Sequence, residues 1–348
     1  MGKPSTYEEA GVDIDAEAAA VEAIRETLAK YGVQPEGVEV LEDIGHYAAV
    51  MRVGEDLFTF NIDGVGSKVL VAQLVDRYDT IGIDAIAMNA NDAVCLGARP
   101  IAFLDYLAVE EPDPEVAAEI AEGLGKGAAE AGAPVVGGEL ATLPEIIKGE
   151  EEGKGFDLVV ACLGLVEHGP ITGEDIEPGD VLIGLRSSGI HSNGLTLARK
   201  VLLSEYDPWD ELPHGETVAD ELLRPTRIYV KPVLEALEGN EVHGIAHITG
   251  GGLENLTRLR EDVSYVVSDP PEPHPVFEEI RRLADVPLDE MYRTFNMGVG
   301  MVLVVPENEA EDVLDTVSKH VEAEVIGRVE EGRGVVVITD EGEVRLGV

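Results

Sequence analysis

Several short polar clusters, each set against apolar sequence, carry the side chains this chain could use for chemistry. In Asn61-Ile62-Asp63-Gly64-Val65-Gly66-Ser67-Lys68, Gly64 and Gly66 let backbone approach a ligand. The Asp63 carboxylate suits Mg²⁺, and the Lys68 ammonium suits phosphate oxygens. The spacing is not that of a Walker A loop, and an Asp-Gly turn with a surface Lys is the alternative. Asn89-Ala90-Asn91-Asp92 falls inside a helical pattern, so its polar groups need partners if buried; a metal-bridged nucleotide, with Asp92 as second carboxylate, or a solvated helix face would each supply them.

Val135-Val136-Gly137-Gly138-Glu139 reads as a strand ending in paired glycines, with Glu139 either a metal or substrate ligand or an exposed acid on a turn. Ser187-Ser188-Gly189-Ile190-His191-Ser192-Asn193-Gly194 reads as a strand-to-helix loop whose N–H groups and hydroxyls suit a phosphate and whose His191 suits proton transfer; a capping loop is the alternative. His247-Ile248-Thr249-Gly250-Gly251-Gly252-Leu253 reads as an anion cradle at a helix start or as close backbone packing between domains. Phe295-Asn296-Met297-Gly298-Val299-Gly300-Met301 reads as a structural turn.

The elements that must position these clusters follow from hydrophobic period. Tyr47–Val53 and Leu57–Ile62 alternate as a hairpin across Gly54-Glu55-Asp56. A helix follows over 80–96, a strand over 101–108, a helix from Pro112 to Ala131, and strands near 134–136 and 158–166. The pattern pauses at His168-Gly169-Pro170. Strands near 181, 244, 263, 299 and 335 then alternate with helices near 195, 229, 253, 276 and 310. The expectation is an α/β (α+β) chain of two domains, 1–168 and 169–348, each a mixed sheet with helices.

The 25 Lys and Arg against 69 Asp and Glu give a net charge of −44. The acids are spread through periodic, apolar segments, which points to a folded protein with an acidic surface, and to adaptation to concentrated salt. That charge disfavours nucleic acid as a partner. No apolar run approaches the ~20 residues of a membrane span, and the N-terminus lacks the pattern of a secretory signal, so the cytoplasm is the expected compartment. Cys95 and Cys162 have no zinc or redox spacing and read as buried free thiols.

Taken together, Tyr7–Ala16 (YEEAGVDIDA), Asp63–Lys68 (DGVGSK), Thr80–Asp92 (TIGIDAIAMNAND), Phe103–Tyr106 (FLDY), Val136–Glu139 (VGGE), Ser187–Gly194 (SSGIHSNG), His247–Asn255 (HITGGGLEN) and Phe295–Met301 (FNMGVGM) resemble the aminoimidazole ribonucleotide synthetase family over nearly the whole chain. The resemblance implies ATP-dependent ring closure of formylglycinamidine ribonucleotide in purine biosynthesis, with Mg²⁺, and K⁺ as a further candidate cation. It implies a homodimer whose N-terminal strands close a barrel across the subunits. It implies nucleotide binding by Asp63, Gly64, Gly66, Ser67, Lys68, Asn91, Asp92, Gly137, Gly138 and Glu139, with Asp63, Asp92 and Glu139 on metal. Substrate would meet Ser188, His191, Ser192, Asn193, Thr249, Gly250 and Gly251, with His191, Lys68 and Asp63 in catalytic roles.

The chain departs from the family pattern at Glu8, where Lys is usual, at Ser67 for Thr, and at Leu140-Ala141-Thr142-Leu143-Pro144, which lacks a second acid. Two alternatives stand beside this reading. One is an ATP-using relative similar to formylglycinamidine ribonucleotide synthetase, against which stands length; the other is a non-catalytic nucleotide-binding subunit.

Overall fold

A computed structural model describes residues 3–33, 35–42 and 45–347; Met1, Gly2 and Val348, at the ends of the expected domains, lie outside the described residues. In chain order the elements are α1 (Ile14–Ala29), β1 (Val38–Glu42), β2 (Ala49–Val53), β3 (Asp56–Gly64), α2 (Lys68–Val75), α3 (Ile81–Cys95), β4 (Ala98–Val109), α4 (Pro114–Ala131), β5 (Val135–Thr142) and β6 (Phe156–Val166). There follow β7 (Val181–Arg186), α5 (Leu195–Leu202), α6 (Val218–Leu223), α7 (Val230–Leu237), β8 (Gly244–His247), a 3₁₀ turn (Gly252–Arg258), β9 (Val263–Val267), α8 (Pro275–Ala284), α9 (Leu288–Thr294), β10 (Val299–Val305), α10 (Ala310–Val317), β11 (Ala323–Glu331), β12 (Gly334–Thr339) and β13 (Gly342–Leu346).

The strands form two sheets, ordered β1-β2-β3-β6-β4-β5 and β13-β12-β9-β11-β7-β10-β8. Among the described residues only β4–β5 and β9–β12 pair in parallel. The first sheet draws on residues 38–166 and the second on 181–346, with neither helix nor strand over 167–180. The hairpin forms as expected, Ala49 opposite Phe60 and Val53 opposite Asp56. One expectation is corrected: Gly137-Gly138-Glu139 does not end a strand but lies inside β5, paired with Leu104, Asp105 and Tyr106 of β4.

Alternation along each strand of the first sheet gives it two unlike faces. One face carries buried Thr59, Phe103, Leu158, Val160 and Cys162 against α3 and α4. Asp113 caps α4, accepting from the N–H groups of Glu115 and Val116, and Pro114 fits the first turn. The opposite face exposes Val40, Val53, Phe60, Ile62, Leu104 and Tyr106, with Ile62 at 68% of its free area. Cross-strand register places Phe60 opposite Leu163, and Ile62 opposite Ala161, which in turn faces Leu104. Within the one chain this sheet is open and forms no closed barrel.

The two halves share one apolar core, and α3 touches both. The opening segment runs over the second half: Tyr7 N–H donates to Glu290 Oε1 at 2.7 Å, and Lys200 Nζ donates to the Ala10 carbonyl at 2.6 Å.

Candidate functional site

Where the first sheet meets the loops of the second half, a cleft of about 1050 Å³ opens. Asp63 at the end of β3, Asp92 in the last turns of α3, Ser192 and Asn193 before α5, and Thr249 and Gly250 after β8 all line it. Four stretches separated by up to nearly two hundred residues in sequence thus converge on one place. A groove of about 690 Å³ elsewhere, between α4 and the β4–β5 edge, has Asp105 as its one titratable lining residue and an otherwise apolar wall.

Two carboxylates set the electrostatics of the cleft. Asp63 is open to the cleft solvent, but the surrounding protein displaces enough water, and Asp92 adds enough like charge, to push its pKa up to about 6. Its Oδ1 accepts the Gly64 N–H at 2.7 Å. Asp92 is held by His247, whose Nδ1 lies 2.8 Å from its Oδ1. The tautomer follows from Asn91, which accepts the Tyr229 N–H through Oδ1 at 2.8 Å and donates through Nδ2 to the Arg227 carbonyl at 2.8 Å and to His247 Nε2 at 3.3 Å. With Nε2 accepting, Nδ1 carries the proton given to Asp92.

Two adjacent carboxylates with a mutually unfavourable charge suit a divalent cation, which typically takes one or two protein carboxylates and completes its shell with phosphate and water. Among the described residues no group of three or more His, Cys, Asp or Glu could hold a metal ion. Beside the carboxylates, Asn193 Oδ1 is buried without a partner, as expected of a group whose partner arrives with a ligand. Gly66 has φ +70 with open space where a Cβ would stand, so backbone lies bare on that wall.

Several expected site residues lie elsewhere, and each has a physical reason. The Lys68 side chain is fully buried; its Nζ donates to Asp84 Oδ1 at 2.8 Å and to the Arg224 carbonyl at 2.6 Å, away from the cleft lining. Burial lowers its pKa, opposed by the Asp84 carboxylate. Asn91 spends its amide on Arg227, Tyr229 and His247 of the second half. Asn89 likewise donates to the Asp63 and Ala85 carbonyls.

His191 is buried with φ +67, and its Nε2 accepts the Ser188 N–H at 3.0 Å. Burial, then neighbouring cationic groups, hold its pKa well below the ordinary value, and its buried Nδ1 has no partner. It lies beneath the loop and does not line the cleft. Ser188 Oγ donates to the Pro225 carbonyl at 2.6 Å. Gly137, Gly138 and Glu139 sit on the far edge strand: Gly138 pairs with Asp105, Asp105 with Val160, and Val160 with Asp63. Three strand spacings put them about 14 Å from Asp63, so within one chain Glu139 is no ligand partner of the two aspartates.

The glycine run also divides. Gly250 lines the cleft, whereas a Cβ on Gly252, at φ +56, would stand 2.0 Å from the Tyr292 carbonyl oxygen. Gly251 lies outside the cleft lining. Asn255 fixes the run, donating to the Gly250 and Gly252 carbonyls at 3.0 and 2.7 Å.

Sequence reasoning gave no role to Asp84, Tyr47 or Arg258, nor one to His247 beyond its place at the head of the glycine run. Asp84 Oδ1 accepts Lys68 Nζ, the Thr226 N–H and Oγ1, and Ser192 Oγ, which makes it the polar centre of contact between the halves. The signal available was one acid in the otherwise apolar run Ile81-Gly82-Ile83-Asp84-Ala85-Ile86.

Comparison with known proteins matches residues 45–166 to the N-terminal domain, and residues 177–340 to the C-terminal domain, of the AIR synthase related proteins. A phosphoribosylformylglycinamidine cyclo-ligase of Methanopyrus kandleri is 76% identical over 341 residues, covering 98% of this chain and 99% of the relative. The chain belongs to the phosphoribosylformylglycinamidine cyclo-ligase family. A cyclo-ligase of Methanobrevibacter smithii is 48% identical, with 97% and 98% covered. Among solved structures, thiamine monophosphate kinase of Aquifex aeolicus aligns with TM-score 0.64 at 19% identity over 93% of this chain and 96% of that one. The hydrogenase maturation protein HypE aligns with TM-score 0.63 at 20% identity over 84% and 88%, and both likenesses show the shared fold.

Proposed function

We propose that this protein is the ATP-dependent cyclo-ligase that converts formylglycinamidine ribonucleotide to aminoimidazole ribonucleotide, ADP and phosphate in purine biosynthesis, and that it works in the cytoplasm. The observation that carries the reading is the meeting of Asp63, Asp92, Asn193 and Gly250 in one cleft, in a chain 76% identical to a cyclo-ligase over nearly its full length. The two family matches support a division into domains near residue 168.

In this reaction the formamide oxygen of the substrate takes the terminal phosphoryl group of ATP, the ring-closing nitrogen attacks the activated carbon, and phosphate leaves. Asp63 and Asp92 would hold Mg²⁺, which when bound neutralises phosphate charge; K⁺ is a further candidate cation. His247 keeps the Asp92 carboxylate in place. The bare backbone at Gly66, with the Ser67 hydroxyl and the neighbouring Gly64, borders the phosphate region, and Asn193, Ser192, Thr249 and Gly250 orient the substrate. Positioning and charge stabilisation are the main tasks of a phosphoryl-transfer site, and a cleft framed by two packed sheets serves both. Lys68, His191, Asn91 and Ser188 take supporting places behind the cleft wall. The test is ATP turnover that depends on formylglycinamidine ribonucleotide.

The reading includes a homodimer. Six large apolar side chains exposed on one face of the first sheet form a continuous surface that a solitary chain has no reason to keep. A second copy laid on it would cover that face, close the open sheet into a barrel, and offer a route for Glu139 of β5 to reach the neighbouring cleft. Ile62→Glu is expected to shift the sedimenting species from the mass of two chains to that of one; unaltered sedimentation contradicts this interface.

The charge of −44 supports adaptation to concentrated salt. At 1 M salt the screening length is about 3 Å, so repulsion between surface carboxylates largely vanishes. The melting temperature is expected to rise steadily from 0.1 to 2 M KCl by differential scanning fluorimetry, and a flat or falling curve counts against the adaptation.

A further inference from the structure

With Lys68 buried behind the cleft wall, the cleft needs another cation to meet phosphate. The charged side chains lining it are Asp63, Asp92, Glu17, Glu22, Arg25 and Arg258. Arg25 is already paired with Glu22 at 3.0 Å. Arg258, the last residue of the 3₁₀ turn, is exposed to the cleft, and among the described residues no carboxylate pairs with it. What marks Arg258 is its place in the cleft lining with Asp63 and Asp92.

Its position is fixed by one contact. The Arg258 Cζ lies 5.4 Å from the centroid of the Tyr47 ring, within the range of a cation–π interaction. Tyr47 is itself buried, and its hydroxyl donates to the Asn255 carbonyl at 3.1 Å, in the turn that carries Arg258. Asn255 in turn holds the Gly250 carbonyl. Tyr47 precedes β2 of the first half, so one ring joins the first sheet to the glycine run and aims the guanidinium into the cleft that Asp63 and Asp92 share. A guanidinium presents a planar fork of donors matched to phosphate oxygens, and stacking on an aromatic face leaves those donors free.

We propose that Arg258 binds a phosphate group of the nucleotide ligands and that Tyr47 is its positioning residue. The assignment rests on the cleft being the nucleotide site, as above. Two phosphates could be its ligand, the triphosphate of ATP or the 5′-phosphate of the ribonucleotide, and the two are separable by titration. Calorimetric binding of β,γ-methylene-ATP with Mg²⁺, and of aminoimidazole ribonucleotide, is measured in 2 M KCl for the unaltered protein and for Arg258→Ala, Arg258→Lys, Tyr47→Leu and Tyr47→Phe.

Arg258→Ala is expected to weaken one ligand about 10- to 100-fold, the scale of a lost charge-assisted contact, and to leave the other within about twofold. The affected ligand identifies the phosphate; equal loss of both at an unchanged melting temperature places Arg258 between them. Arg258→Lys recovers part of the loss, because charge returns without the planar fork. Tyr47→Leu weakens the same ligand by about 2- to 5-fold and Tyr47→Phe by less. In the Arg258→Ala background Tyr47→Leu has no further effect on binding, which a purely structural role of the ring would not produce.

Binding of both ligands within twofold of the unaltered protein in Arg258→Ala overturns the assignment while leaving the cyclo-ligase reading intact. Failure of the unaltered protein to bind either ligand overturns that reading and the assignment with it.

Discussion

Replacing Asp84 with Asn is expected to destabilise the protein by about 3–5 kcal/mol, because it leaves a fully buried ammonium without its counter-charge. Asp84 and Lys68 both have no exposed side-chain surface, and their contact is 2.8 Å. After the substitution Lys68 keeps the Arg224 carbonyl but only an amide oxygen opposite. Lys68→Met should cost less, since the Asp84 carboxylate retains the Thr226 N–H, Thr226 Oγ1 and Ser192 Oγ as donors. Residues in one buried network couple, so the double variant Lys68→Met with Asp84→Asn should recover part of the summed loss. Chemical denaturation in 2 M KCl reads all three. A Lys68→Met protein of unaltered stability that fails only in ATP affinity would return Lys68 to the phosphate role that its sequence motif suggested.

The opposite signature is expected at Asp63. Asp63→Asn should reduce turnover at least 10²-fold, the scale of removing a group that stabilises developing charge, while leaving the melting temperature equal or higher. The sign follows from its pKa of about 6, raised by partial desolvation and by Asp92. A carboxyl whose folded pKa lies above its unfolded one costs stability when ionised at neutral pH, and that cost vanishes as pH falls through about 6 toward the unfolded value. Removing the charge therefore relieves a strain that Mg²⁺ relieves in the working enzyme. Protons compete with the metal over the same range, so the apparent Mg²⁺ affinity should fall by about tenfold per pH unit below 6. A Mg²⁺ affinity that stays level from pH 7 to pH 5 would remove Asp63 from the metal site.

Much of this was legible in the sequence. Period and turn chemistry located the hairpin of β2 and β3, the long helices α3 and α4, and β4 and β6, because each is a local pattern of burial. Helices α1 and α2, the strands β1, β11 and β13, and the short helices α6 and α9 were missed. Their place depends on neighbours: β11 runs between β7 and β9 with an irregular register, and only the finished sheet shows why Ala323–Glu331, rich in acids, is a strand.

The site divides in the same way. Asp63, Asn193 and Gly250 could be named from residue type beside a glycine, and Asp92 from a polar cluster inside an apolar helical pattern. Lys68 and Asn91 sit in the same motifs but point the other way around their helices, toward Arg224 and Arg227. Spacing alone does not reveal that turn, because a motif gives the residue and the helix phase gives its direction. Arg258 escaped notice for the complementary reason: it lies just past the glycine-run segment that ends at Asn255, and its partner Tyr47 lies about two hundred residues away.

The measurement that bears most directly on the function is the stoichiometry of ADP, phosphate and aminoimidazole ribonucleotide released by the purified protein with ATP, Mg²⁺ and formylglycinamidine ribonucleotide in 2 M KCl. One of each per turnover, with all three lost in Asp63→Asn, is the expected result; ADP and phosphate formed without the imidazole product, or no ADP at all, would contradict it.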